Sequence, residues 1–153
     1  MNELVYLFVL ADIHKTNAFG SVEFVGANRN QIRFELVVAD ALPPLDDALE
    51  LTAYRIVQEA VTNVVRHAGA SHAQVSIAMQ GDTLTLTIAD NGIGAATLVR
   101  EGHYGVRGMQ ERAESHGGNV EFRRGAEGGL EVKVTLPIPG STDDAGKLEG
   151  SKA

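Results

Sequence analysis

Cysteine is absent from this chain. That excludes disulfides and thiolate metal sites and is compatible with a reducing compartment. Basic residues are in deficit: 13 Lys and Arg stand against 20 Asp and Glu, for a formal net charge of −7. Nucleic-acid affinity comes largely from Lys and Arg meeting phosphates, so no nucleic-acid partner is expected. A local basic pocket for one nucleotide remains compatible with that charge. The opening apolar run LVYLFVLA, residues 4–11, is too short to span a bilayer. Neither a preceding basic region nor a small-residue cleavage site marks it as a signal peptide. A buried strand or a partner-facing segment is the expectation for it, with no membrane contact and a cytoplasmic location.

What is present is ordinary globular composition, 44% hydrophobic and 22% charged over 153 residues, enough for one domain with a real core. Glycine is enriched, 17 of 153, about 11% against roughly 7% on average, as glycine-rich ligand loops require and ordinary turns also consume. The chain divides into an opening segment, residues 1–29, with weak patterning and no evident origin. A patterned region, residues 30–139, follows, and then a polar tail, residues 140–153, expected to be disordered.

Within the patterned region, Ile32, Phe34, Leu36 and Val38 alternate, predicting a half-buried strand. Pro43 and Pro44 end it by removing donors and restricting their neighbours. A helix is predicted over residues 46–67, with Ala53, Ile56, Val57, Ala60, Val61, Val64, Val65 and Ala68 on an i, i+3, i+4, i+7 stripe. Two alternating runs, Val75/Ile77/Met79 and Leu84/Leu86/Ile88, meet at Gly81 and Asp82 as a hairpin. Residues 95–104 are predicted as a loop and residues 105–116 as a short helix. Met109, Arg112, Ala113 and His116 share a face of it, and Gly117-Gly118 ends it. A closing hairpin runs from Val120 and Phe122 across residues 125–129 to Leu130, Val132, Val134 and Leu136. The order β, α, ββ, α, ββ predicts an α+β fold, a two-layer sandwich with helices on one face of a mixed sheet.

Polar residues punctuate this frame. Glu59, Asn63, Arg66 and His67 lie opposite the valine stripe of the long helix and share one polar face. That pattern suits a solvated surface; it also suits a site in which the amide is a hard ligand for Mg²⁺, the carboxylate orients a water and the guanidinium pairs with phosphate. Asp90-Asn91-Gly92-Ile93-Gly94 closes a strand. As Asp-Asn-Gly it is a good turn. As a site it offers a carboxylate that accepts from the exocyclic amine of adenine and repels the carbonyl of guanine, beside glycines that let backbone approach a flat ring. Gly102, Gly105 and Gly108 open the second helix, whose N-terminal amides favour anions. They match neither a P-loop nor a dinucleotide fingerprint.

Taken together and in this order, these elements resemble the ATP-binding catalytic domain of sensor histidine kinases. The superfamily also holds gyrase, Hsp-type chaperones and mismatch-repair ATPases. RIVQEAVTNVVRHA at residues 55–68 resembles the family's N box, DNGIG at 90–94 its first glycine box, and HYGVRGM at 103–109 its second. The wording is closest to kinases paired with helix-turn-helix response regulators, and the resemblance covers about residues 30–139. It implies a Bergerat-type fold binding ATP and Mg²⁺, with Asn63 ligating the metal and Glu59 beside it as the second catalytic group. Arg66 and His67 would lie near the phosphate tail. Asp90 would accept from adenine, with Gly92 and Gly94 close to the base. Residues 95–107 would form a lid, and Tyr104, Gly105, Val106 and Gly108 would line the nucleotide.

Two departures accompany the resemblance. Leu130 stands where the family commonly has a threonine near adenine, which removes a hydroxyl contact and implies lower affinity. The family's dimerising helices with their phosphoacceptor histidine are not found, and His14, His72, His103 and His116 read as ordinary histidines. The implied function is a protein histidine kinase catalytic domain. It would pass the γ-phosphoryl group of ATP to a histidine on a separate dimerisation domain, and so indirectly to a response regulator. The alternatives are a nucleotide-binding regulatory module that phosphorylates nothing, or an anti-sigma-type protein serine kinase.

Overall fold

A computed structural model describes residues 20–25, 32–38, 42–94 and 104–139. The expectations for residues 4–11, His14, His103, most of the lid and the tail lie outside these residues. Among the described residues, six strands and two helices follow in the order β1 (Gly20–Val25), β2 (Arg33–Val38), α1 (Asp47–His67), β3 (His72–Gln80), β4 (Thr83–Asp90), α2 (Tyr104–Glu114), β5 (Asn119–Arg124) and β6 (Leu130–Pro137). They build one sheet in the order β1-β2-β3-β4-β6-β5. β2 and β3 pair in parallel across the α1 crossover, and every other neighbouring pair is antiparallel. The sheet is thus mixed, as predicted.

β1 was not predicted. It lies inside the opening segment and pairs antiparallel with β2, Phe24 opposite Phe34. Only Val22 and Phe24 alternate in GSVEFV, too short a signal to mark a strand without its partner.

α1 begins where the side chain of Asp46 caps it, Oδ1 accepting from Leu49 N–H at 2.7 Å. Such a cap satisfies one of the donors a helix start leaves over. Asp47 and Glu50 in its first turn and Arg66 and His67 in its last complement the helix dipole. Of the predicted stripe, Val65 and Ala68 are half-buried against the core, and Ala53, Ile56, Val57, Ala60, Val61 and Val64 are buried. They meet the sheet face made by Leu84, Leu86 and Ile88 of β4 and Val132, Val134 and Leu136 of β6. Along these strands alternate residues turn inward, as the two-residue period requires.

α2 adds Met109 and Ala113 to that core, both fully buried. Arg112, predicted to share their face, is exposed, its Nη1 lying beside Gly108; a guanidinium stays at the core's edge because burying it without a partner costs too much. Past the end of α2, His116 Nε2 is 2.8 Å from Thr52 Oγ1 of α1. At the other end Gly105 packs on Glu59, so the two helices run antiparallel.

Candidate nucleotide site

The C-terminal half of α1 and the ends of β4 and β6 leave an open cleft between helix and sheet. Its walls are apolar: Ala60, Val64 and Ala68 on the helix side, Ile88, Leu130 and Val132 on the sheet side. Three polar side chains enter it, Asn63 and His67 one helical turn apart and Asp90 across the cleft. A slot with apolar walls and a few polar groups is how a flat heterocycle is both held and oriented.

Asp90 is the most constrained of these. It is 5% exposed, and its Oδ1 accepts from Gly92 N–H at 2.8 Å and, at 3.4 Å, from Leu130 N–H. Among the described residues nothing donates to Oδ2, so one oxygen is fixed by backbone while the other accepts from none of them. Close approach demands glycine on both sides. A Cβ on Gly92 would come within 2.0 Å of the Ala68 carbonyl oxygen, and one on Gly129 within 2.1 Å of Asp90 O. Gly92 can therefore slide against the end of α1, where Ile93 N–H donates to Ala68 O at 2.9 Å.

Of the other candidates, Gly94 lines the cleft. Glu59 and Arg66 do not line it. The Glu59 carboxylate lies against Gly105, so close that a Cβ there would be 2.0 Å from its Oε1. It therefore faces the first turn of α2, where a carboxylate is favoured by the helix dipole. Arg66 is exposed. Tyr104 opens α2, Val106 packs on the core, and Gly108 sits over the Arg112 guanidinium. The second glycine box is thus in the N-terminal part of α2, joined to the cleft side of α1 through Glu59.

Several contributors escaped the sequence reading. Ala60, Val64, Ile88 and Val132 were legible only as core, since an apolar wall and a core face share one periodicity. Gly129 belonged to a visible glycine pair, but its contact with Asp90 is a cross-strand matter. Leu130, noted for a missing hydroxyl, contributes its backbone N–H to Asp90.

Residues 48–140 match the model of a family described as histidine kinase-, DNA gyrase B-, and HSP90-like ATPase. The chain belongs to this ATPase family. Among relatives of this chain, the sensor histidine kinase YxjM of Bacillus subtilis (strain 168) is 42% identical over 87 residues, 57% of this chain and 21% of that protein. The nitrate/nitrite sensor protein NarX of Escherichia coli (strain K12) is 35% identical over 112 residues, 72% of this chain and 18% of that protein. The matched region spans about a fifth of the length of these relatives. The solved ATP-binding domain of PrrB from Mycobacterium tuberculosis superposes with a TM-score of 0.51 at 24% identity, over 69% of this chain and 80% of that one. That likeness is one of fold, and it agrees with the two-layer arrangement described above. Among the described residues no helix is long and apolar enough to cross a membrane.

Proposed function

We propose that the chain is the MgATP-binding catalytic domain of a two-component sensor histidine kinase. It would act in the cytoplasm and supply the γ-phosphoryl group to a histidine on a separate dimerisation domain. The observation that carries this reading is Asp90, a buried carboxylate with one oxygen fixed by Gly92 and the other accepting from none of the described residues, at the end of an apolar slot. A carboxylate there accepts from the 6-amino group of adenine and repels the 6-carbonyl of guanine.

The donor set fits a magnesium–phosphate group. Asn63 offers a single hard amide oxygen in the cleft. Mg²⁺ suits such a site because it retains waters and takes few protein ligands when phosphates supply the rest. Bound there, it neutralises phosphate charge. Asn63 would hold it, His67 would flank the phosphate tail, and Arg66, exposed on the preceding helical position, would meet the same charges. Glu59, held at the start of α2, would orient the acceptor imidazole or a metal-bound water.

In the transfer itself the bond from the γ-phosphorus to the β–γ bridging oxygen breaks and a bond to the imidazole nitrogen forms. ADP leaves, so this domain contributes position and charge rather than a covalent intermediate. The wording of the three boxes supports a downstream regulator with a helix-turn-helix output domain. The test is phosphoryl transfer from γ-labelled ATP to an added dimerisation domain of the same kinase type. Label on that domain's histidine is the expected result; nucleotide binding without label would reduce the chain to a nucleotide-binding module.

A further inference from the structure

Asn91 sits between Asp90 and Gly92, yet it does not line the cleft. Its side chain turns the other way, to the connection that carries the chain from α1 into β3. Oδ1 accepts from the backbone N–H groups of both Ser71 and His72, at 2.9 and 3.0 Å. Nδ2 donates to Ser71 Oγ at 2.9 Å. The backbone adds two more ties: Asn91 N–H donates to His72 O at 3.1 Å, and Ile93 N–H to Ala68 O at 2.9 Å. A single amide thus clamps the loop after β4 to the segment leaving the helix that bears Asn63 and His67.

The clamp bears directly on Asp90. The peptide units on either side of Asn91 are the ones that orient the Asp90 carboxylate: the first leads from Asp90 itself, and the second supplies the Gly92 N–H that fixes Oδ1. We infer that Asn91 is a positioning residue for purine selection, holding the Asp90 carboxylate in register with the helix side of the cleft. An Asx turn alone would require only a bond within the loop. Here all three side-chain bonds leave the loop for residues 19 and 20 positions away in sequence. This inference rests on the reading of Asp90 as the adenine acceptor.

The test measures binding of ADP and of IDP, which differ at the 6-position of the purine, by calorimetry on the full chain and on Asn91→Ala and Asn91→Asp. The wild type is expected to prefer ADP by about 10-fold or more, as loss of a hydrogen bond to a charged group implies. Asn91→Ala should weaken ADP by about 10-fold with little change for IDP, so that the ratio falls towards one. Asn91→Asp should keep the wild-type ratio, since a carboxylate still accepts from both backbone N–H groups and the Ser71 hydroxyl can reverse to donate. An unchanged ratio in Asn91→Ala overturns the inference and leaves the Asp90 reading standing, as does an equal collapse in both variants. A wild type that does not prefer ADP overturns the Asp90 reading itself. Thermal melting without nucleotide checks the fold; if Asn91→Ala does not fold, Ser71→Ala, which removes one bond of the clamp, should lower the ratio about 3-fold, and no change there overturns the inference.

Discussion

Asp90 and Asn63 divide the work of the cleft by chemistry, and single substitutions separate them. Asp90→Asn keeps an oxygen for the Gly92 N–H but removes the charge from the group facing the ligand. It should weaken binding of a non-hydrolysable ATP analogue by about 10- to 100-fold, the worth of a hydrogen bond to a charged group. Calorimetry reads this directly, and unaltered affinity would remove adenine recognition from the site. Asn63→Ala should lower affinity only when Mg²⁺ is present; an equal loss in EDTA would mean that the amide meets the nucleotide rather than the metal. These residues were legible as candidates because a carboxylate before glycines and an amide on a helix opposite its apolar stripe are conspicuous in one dimension. The geometry that orients them was not. Nothing in the spacing of Asp90 and Leu130 announces that the backbone N–H of the second reaches the carboxylate of the first, because strand register is a property of the folded sheet.

The two helices touch at both ends of α2, His116 with Thr52 and Gly105 with Glu59, and Met109, between those positions on α2, is buried. Met109→Ala should destabilise the fold by about 2–5 kcal/mol, as removal of a buried side chain from a packed core does, measured by chemical denaturation. Gly105→Ala acts differently. The atom its methyl would strike is the end of a flexible side chain, so the fold can yield by moving Glu59, and alanine in a helix gains about 0.5–1 kcal/mol over glycine. Its melting temperature should hold or rise, while phosphoryl transfer falls by about 10-fold or more through the displaced carboxylate. A variant that melts early yet transfers normally would contradict this. Both described helices and strands β2, β3, β4 and β6 could be read from periodicity, since each spans several repeats of its pattern; β5, with only Val120 and Phe122 alternating, was legible through the glycine-rich turn that joins it to β6. β1 could not, because six residues with two alternating apolar positions acquire their meaning only from β2 beside them.

At the scale of the molecule, one face of the sheet carries the helices and the cleft, and the other turns Thr83, Thr85, Thr87 and Ala89 of β4 away from them. Thr85 is nonetheless buried, and its hydroxyl is the buried side-chain polar atom left without a partner among the described residues. Thr85→Val should therefore raise stability by about 1 kcal/mol, since a buried unsatisfied hydroxyl is costly and valine has nearly its shape; a loss of that size would show that the hydroxyl is bonded after all. The architecture as a whole brings the ends of α1, β4 and β6 together, and that junction is what makes the proposed ATP-binding cleft from residues scattered between positions 60 and 132. The most direct measurement of this claim is a calorimetric titration of the chain with a non-hydrolysable ATP analogue, with and without Mg²⁺, against the matching GTP analogue. Saturable binding, tightened by Mg²⁺ and absent for the guanine nucleotide, is the predicted result. Equal binding of both bases, or none of either, would contradict it.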